Sequence, residues 1–204
     1  MSRFLAIAAV CLAAPAVLAE GTGGTHTHKG LFLRALGGVG YLHANADYNP
    51  GAATADGTAG LLGLAIGGAL AENLVLYGEI FGMSAANPSV QIGPFIGTDK
   101  NSSLNFGGLG VGLGTFFMPS NVFLGFAVDA TRLGLTNNDG SQTNGSPGLS
   151  LSATLGKQWW ISDQGGLGVS VQVIGGGNRD NSNSNNPATY KTYSGLVALT
   201  LTYG

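Results

Sequence analysis

Hydrophobic residues recur at every second position along most of the chain after residue 30. A clear run is Leu149, Leu151, Ala153 and Leu155. A period of two places successive side chains on opposite faces of a β-strand. Glycine interrupts every candidate helix, at a cost of about 1 kcal/mol relative to Ala. The pattern predicts eight strands, over residues 30–45, 59–70, 74–83, 104–117, 122–135, 148–160, 166–175 and 193–203.

The connections between these strands alternate in length. Residues 71–73, 118–121 and 161–165 form short turns, and the long connections are rich in Asn, Ser, Gly and Thr, over residues 46–58, 84–103, 136–147 and 176–192. Short turns at one end and long polar loops at the other are typical of transmembrane barrels of the bacterial outer membrane. An even strand count then places both chain ends on the short-turn, periplasmic side.

The opposite face of each strand separates a membrane barrel from a secreted soluble β-sandwich, the alternative fold. A sandwich exposes that face to water and needs charged residues there. Here it carries small residues, which suit the crowded interior of a narrow barrel. The clearest rows are Gly108, Gly110, Gly112 and Gly114, and Ser150, Ser152, Thr154 and Gly156.

Composition supports the barrel and excludes several other classes. The 204 residues include 36 Gly, and only 9% are charged, whereas a typical soluble domain has about 25% charged residues. The net charge of −2 without a run of Lys or Arg argues against nucleic acid as a partner. No apolar stretch after the N-terminus is long enough for a membrane-spanning helix.

The N-terminus has the layout of a secretory signal peptide. Arg3 precedes an apolar run over residues 4–14, and Val17 and Ala19 stand at the −3 and −1 positions of a cleavage site before Glu20. We therefore expect a signal peptide over 1–19, a short solvated periplasmic segment over 20–29, and a barrel domain over 30–204. The single cysteine, Cys11, lies in the removed part, so no disulfide framework is expected.

Three charged residues fall in mid-strand on the inward set: Arg34, Glu79 and Asp129. We expect them to form a structural charge network in the lumen, with Arg34 and Glu79 as a pair, because a lone buried charge is costly. Inward aromatic residues and the low strand number predict a filled lumen. A narrow channel for ions or small apolar solutes is the alternative, favoured by the inward Gly and Ser rows.

Aromatic residues collect near the predicted strand ends. Trp and Tyr favour the lipid headgroup zone, where an apolar ring meets water at one edge. The predicted membrane-interface aromatics are Tyr41, Phe117, Trp159, Trp160 and Tyr203.

Residues capable of catalysis or metal binding are few. His26 and His28 could place two imidazoles on one side of an extended chain, without a third ligand nearby. His43, with Asp47 and Ser84, is the basis of a second alternative, a lipid-modifying barrel enzyme, but no nucleophile motif accompanies it. We therefore expect no catalytic residue, cofactor or metal.

The segment 156–163, followed by 166–169, is similar to a turn of uncharacterised exported barrel proteins. Over residues 30–204 the chain resembles small bacterial outer-membrane β-barrels, the class of the eight-stranded OmpA transmembrane domain and its OmpX and OmpW relatives. The resemblance implies an antiparallel up-and-down barrel. From the filled lumen and the lack of a catalytic motif we expect a monomeric, non-enzymatic protein with a structural or surface-interaction role, with outer-membrane lipid and lipopolysaccharide as partners. Residues 200–203 resemble the terminal signal read by the barrel-assembly machinery, although Gly204 follows Tyr203.

Overall fold

The computed structural model describes residues 27–48, 51–137, 142–180 and 188–204, so the predicted signal peptide lies outside the described residues. The described chain forms ten strands. They are β1 (Leu31–Tyr48), β2 (Gly51–Ala71), β3 (Leu74–Ala86), β4 (Ser89–Ile92), β5 (Phe95–Thr98), β6 (Ser102–Phe117), β7 (Val122–Asn137), β8 (Gln142–Trp160), β9 (Gly165–Asp180) and β10 (Ala188–Tyr203).

Eight of these strands close into an antiparallel barrel. The hydrogen-bonded order is β1-β2-β3-β6-β7-β8-β9-β10, and β10 pairs with β1 to complete the ring. A register row that leaves β1 at Arg34 and crosses all eight strands returns to β1 at Ala44, ten residues further on. Such a stagger tilts the strands against the barrel axis. The predicted eight-stranded fold is confirmed.

The two faces of the barrel wall differ as the alternating pattern requires. Outward side chains such as Leu62 are exposed (75%), whereas inward ones such as Leu42 are fully buried (0%). The predicted inward rows of small residues on β6 and β8 do face the lumen. Among the described residues, no helix is long and apolar enough to span a membrane.

The strands are longer than predicted at the end that carries the long connections, here called the loop end. β1 and β2 stay paired out to Tyr48 and Gly51, and residues 84–103 contain an extra hairpin, β4–β5, which pairs with β2. The predicted loop bounds were therefore wrong there. Backbone pairing continues beyond the point where the alternation of apolar side chains stops.

The opposite end, here called the turn end, has three tight turns at the predicted places. Asn73 and Asn121 lie in two of them with positive φ angles of 63° and 50°. Asn tolerates this left-handed conformation better than most residues. Both side chains also contact His28, which covers the turn end of the lumen.

Two groups of side chains fill the lumen. The loop-end core is purely apolar, and the turn-end cluster is rich in aromatic rings. The loop-end core comprises Leu42, Ala44, Ala59, Leu61, Phe81, Met83, Ala85, Leu104, Phe106, Leu133, Ile174, Leu196 and Ala198. The turn-end cluster comprises Phe32, Ala65, Val75, Tyr77, Phe116, Phe123 and Ala127.

Inward glycines of β6 make room for the rings of the turn-end cluster. A Cβ at Gly112 would lie 2.4 Å from the Tyr77 ring, and one at Gly114 would lie 2.5 Å from the Phe123 ring. Because real Cβ atoms do not approach other atoms this closely, a side chain at either position would push the ring out of its place. The glycine row is therefore a packing feature of a filled lumen.

Candidate functional site

The three inward charges lie on one register row across neighbouring strands. Arg34 on β1 is opposite Ala65, Ala65 is opposite Glu79, and Gly110 stands between Glu79 and Asp129. Arg34 and Asp129 are buried (5% and 0% exposed). The small residues between the charges leave room for the charged side chains within the row.

The contacts within this row differ from the expected pairing. Glu79 and Asp129 lie on the two strands that flank Gly110, and the Asp129 side chain occupies the space over that glycine. The Ser152 and Ser150 hydroxyls donate to Glu79 Oε1 and Asp129 Oδ2, each at 3.3 Å.

Arg34 makes a different contact. Its guanidinium carbon lies 4.5 Å from the centre of the Phe123 ring, a cation–π arrangement. Within the described chain, no ion pair of 4.0 Å or less joins Arg34 to Glu79, so the expected contact pair was wrong. The physical reason is that Ala65 lies between Arg34 and Glu79, whose backbones are therefore two strand spacings apart, about 10 Å. The guanidinium packs on the Phe123 ring instead.

The turn end of the lumen is closed by the segment that precedes β1. The His28 amide donates to Asn73 Oδ1 at 3.0 Å, and the His28 carbonyl accepts from the Asn73 amide at 3.1 Å. The His28 ring nitrogen Nε2 lies 3.0 Å from Asn121 Oδ1. The ring stacks on Phe116 at 3.6 Å and on Trp160 at 4.7 Å between centroids.

This plug corrects the expectation of a solvated segment before β1. His28 is 1% exposed, because two turns and two aromatic rings surround it. Burial lowers the pKa of His28, more than its hydrogen bond with Asn121 raises it, so the ring is held neutral at pH 7. The partner of the suggested metal pair, His26, lies outside the described residues. Within the described ranges, no group of three His, Cys, Asp or Glu side chains could hold a metal ion.

The predicted interface aromatics divide between the two faces. Tyr41, Phe117 and Tyr203 are exposed on the outward face, and Trp159 lies half-buried on the same register. Trp160 instead stacks on His28, so its predicted place at the membrane interface was wrong. Adjacent strand residues face opposite sides, and only one of two neighbouring tryptophans can point outward.

The suggested catalytic group does not come together. His43 Nδ1 lies 3.6 Å from Asp56 Oδ1 on the facing strand β2, and Asp47 instead lies 3.5 Å from the Lys191 ammonium. Ser84 is opposite Gly60, four positions along β2 from Asp56, or about 13 Å. The expected set of His43, Asp47 and Ser84 is therefore not a nucleophile–base–acid arrangement.

Inward side chains occupy the lumen along its length. The loop-end core, the charge row and the His28 plug lie one below the other, and their inward side chains are mostly buried. Sequence reasoning found the charge row through its period. It missed the plug, whose only local signal was an Asn in each of two turns.

No protein-family model matches the chain, and no curated protein matches it. Several solved structures are similar in fold. They include Neisserial surface protein A (14% identity, 85% of this chain and 96% of that one, TM-score 0.50) and the outer membrane protein OprG from Pseudomonas aeruginosa (12%, 88% and 99%, TM-score 0.53). A third is the outer membrane protein AlkL (12%, 93% and 96%, TM-score 0.51). The chain therefore has the fold of the small eight-stranded outer-membrane β-barrels.

Proposed function

We propose that this chain is a non-conducting, non-enzymatic barrel of the outer membrane, with a structural and surface-interaction role. It acts as a monomer, binds outer-membrane lipid and lipopolysaccharide on its outward face, and is inserted by the barrel-assembly machinery after cleavage of its signal peptide. The long connections at the loop end face the outside. No cofactor is needed for this role.

The filled lumen is the observation that carries the proposal. Apolar side chains fill the loop end, and a neutral His28 ring between Phe116 and Trp160 fills the turn end. An ion would have to pass both layers, and large apolar side chains such as Phe81, Met83 and Phe106 occupy the first. A barrel with such an interior serves through its outward face and its connections.

Conductance across a planar bilayer tests the proposal. The purified full-length protein is expected to give no current steps, because its lumen is occupied. Gel mobility with and without boiling in SDS shows that the sample is a folded barrel, since a closed barrel has no strand edge at which to fray. Regular steps from a sample with the heat-dependent shift would overturn the proposal.

A matched variant shows that the assay can detect an open lumen. The triple change Phe106→Gly, Met83→Gly and Phe123→Gly removes large side chains from both layers. We expect it to conduct if it retains the gel shift. Phe126→Gly, which removes an outward ring, is expected to stay silent.

A second candidate function is passage of apolar solutes. The specific observation in its favour is the group of large apolar side chains in the loop-end core, among them Phe81, Met83 and Phe106, a surface to which a hydrocarbon would bind. Its test is uptake of a radiolabelled hydrocarbon by cells with and without the protein. Equal uptake removes this candidate, whereas faster uptake that the change Met83→Trp abolishes would support it.

The non-enzymatic part of the proposal has its own test. His43→Ala removes the suggested base, and the composition of the envelope lipids is expected to stay the same. Altered acyl or headgroup chemistry in cells with the unchanged protein, lost in the variant, would favour the lipid-modifying enzyme.

A further inference from the structure

The outward face is not uniformly covered with large apolar side chains. Near the loop end, four neighbouring strands β2, β3, β6 and β7 each present a glycine outward: Gly60, Gly82, Gly107 and Gly134. A Cβ added at Gly60 or Gly82 would meet nothing within 4 Å. A depression of about 880 Å³ lies over this part of the wall. Most of the residues that border it are on the outward register, and the side chains of Leu62 and Arg132 among them are exposed, so its free space lies on the outward side.

The depression runs across the strands between an apolar wall and a cation. One register row joins Leu62 on β2, Gly82 on β3, Gly107 on β6 and Arg132 on β7, and the depression touches all four residues. Leu62 is an exposed apolar side chain at one side. Arg132 is an exposed guanidinium at the other.

A second arginine continues this row. Arg132 is opposite Pro147 on β8. The last pair of β8 with β9 joins Gly148 to Asn178, and Arg179, opposite Thr189 of β10, is the next residue of β9. The two arginines therefore stand two strand spacings apart, about 10 Å between backbones. Both are exposed on the outward register. Guanidinium groups bind phosphate through paired N–H donors, which makes this edge complementary to a phosphorylated headgroup.

Among the described side chains of the barrel strands, the acidic ones on the outward register lie elsewhere on the wall. Asp47 and Asp56 belong to β1 and β2 and are engaged with Lys191 and His43, respectively. A second depression, of about 740 Å³ over Gly78, touches two charged residues, Arg34 and Glu79, and both face the lumen. A furrow in the wall and an outward cation thus coincide at the first depression and do not coincide at the second.

We propose that the first depression holds one phosphorylated lipid of the outer leaflet. An acyl chain lies in the furrow over Gly82 and Gly107, where apolar contact replaces the missing side chains, and a phosphate of the headgroup is bound by Arg132 and Arg179. The inference rests on the proposed function, because it needs the outward face to be in the outer membrane. It adds a defined site and the chemical class of its ligand.

Lipid retention by the full-length protein in detergent tests this site. The probe is lipid A with its phosphates, and the matched probe is the same lipid after removal of the phosphates. Native mass spectrometry is expected to show one retained phosphorylated lipid and at least tenfold less of the dephosphorylated one. Free inorganic phosphate is expected not to displace the lipid. Equal retention of both probes, or displacement by free phosphate, would overturn the two-part site.

Variants separate the two parts of the site. Arg132→Gln and Arg179→Gln are each expected to weaken retention about tenfold, as for the loss of one charge-assisted contact. Gly82→Leu fills the furrow and is expected to abolish retention, whereas the control Gly78→Leu fills the second depression and leaves it unchanged. Retention by Gly82→Leu equal to that of the unchanged protein would refute the furrow.

The gel shift keeps this result distinct from the proposed function. A protein that shows the shift and gives no current, yet retains no lipid, contradicts only the lipid site. A protein that conducts contradicts the proposed function whatever lipid it retains. Should Gly82→Leu fail to fold, the two arginine variants still decide the matter, because their side chains are exposed and outside the packed interior.

Discussion

The two ends of the lumen are filled by different means. At the loop end, thirteen buried apolar residues pack as in the core of a soluble protein. At the turn end, rings of Phe32, Tyr77, Phe116 and Phe123 surround a charge row and a buried histidine. The first arrangement is non-directional, and the second depends on particular contacts.

This difference teaches which parts of the barrel tolerate change. An apolar core loses stability in proportion to the volume removed, and similar residues replace one another at small cost. A polar network loses stability when one member is removed, because the remaining polar groups stay buried without a partner. We therefore expect the loop end to respond to volume and the turn end to charge, shape and pH.

The largest effect is expected from a cavity in the loop-end core. Phe106→Ala should lower the free energy of unfolding by about 3–5 kcal/mol, measured by urea titration of the barrel in detergent. The control Phe126→Ala removes an outward ring that is 57% exposed and leaves no internal cavity, so its loss should be smaller. Equal losses would show that the loop-end core does not act as a packed interior.

A smaller loss is expected at the charge row. Arg34→Met removes the cation–π contact with Phe123 and leaves Glu79 and Asp129 without a cation, which should cost about 2–3 kcal/mol. The triple change Arg34→Met, Glu79→Gln and Asp129→Asn should regain part of this loss in the same titration. A triple variant less stable than the single one would contradict the charge-balance argument.

Shape at the turn end is tested by one methyl group. Gly112→Ala places a Cβ against the Tyr77 ring and should cost about 1–3 kcal/mol through overpacking. Gly195→Ala, in a strand position where a Cβ meets nothing within 4 Å, is the matched control and should cost less. The measurement is the temperature at which each variant loses the SDS gel shift. Equal temperatures for the two variants would refute the packing role of Gly112.

The smallest effect is the pH dependence of the plug. Because burial lowers the pKa of His28, the unfolded chain binds this proton more readily than the folded one. Stability should therefore fall as the pH drops through 6.5, the ordinary value, and below it. His28→Phe keeps a ring in the stack and removes the titration. The difference between the two unfolding curves at pH 7 and pH 5 isolates His28, and parallel curves would contradict its role.

Much of the barrel follows from a period of two in the sequence. That period correctly assigned Arg34, Glu79 and Asp129 to the lumen, because one face of each strand had to be apolar. It could not give the partners within the lumen, which depend on the stagger of strands around the ring. Nor could it find the plug, because His28 meets Asn73 and Asn121 across 45 and 93 positions of the chain.

Strand ends at the loop end were beyond the same reasoning. The apolar alternation marks the stretch of each strand whose outward side chains are apolar, whereas pairing of β1 with β2 continues for as long as the two backbones stay adjacent. The alternation also bears on the two neighbouring tryptophans. Since neighbouring strand residues face opposite sides, it required Trp159 and Trp160 to lie on different faces.

The pairing of β1 with β10 also determines when this protein can be completed. It joins residues 142 to 170 positions apart, from Asp47 with Thr189 to Leu33 with Tyr203. Until β10 has been synthesised, β1 has no second neighbour and the sheet keeps two open edges, which attract other strands and are not tolerated in lipid. The whole chain must therefore be synthesised and kept unaggregated before its first strand can be paired on both sides.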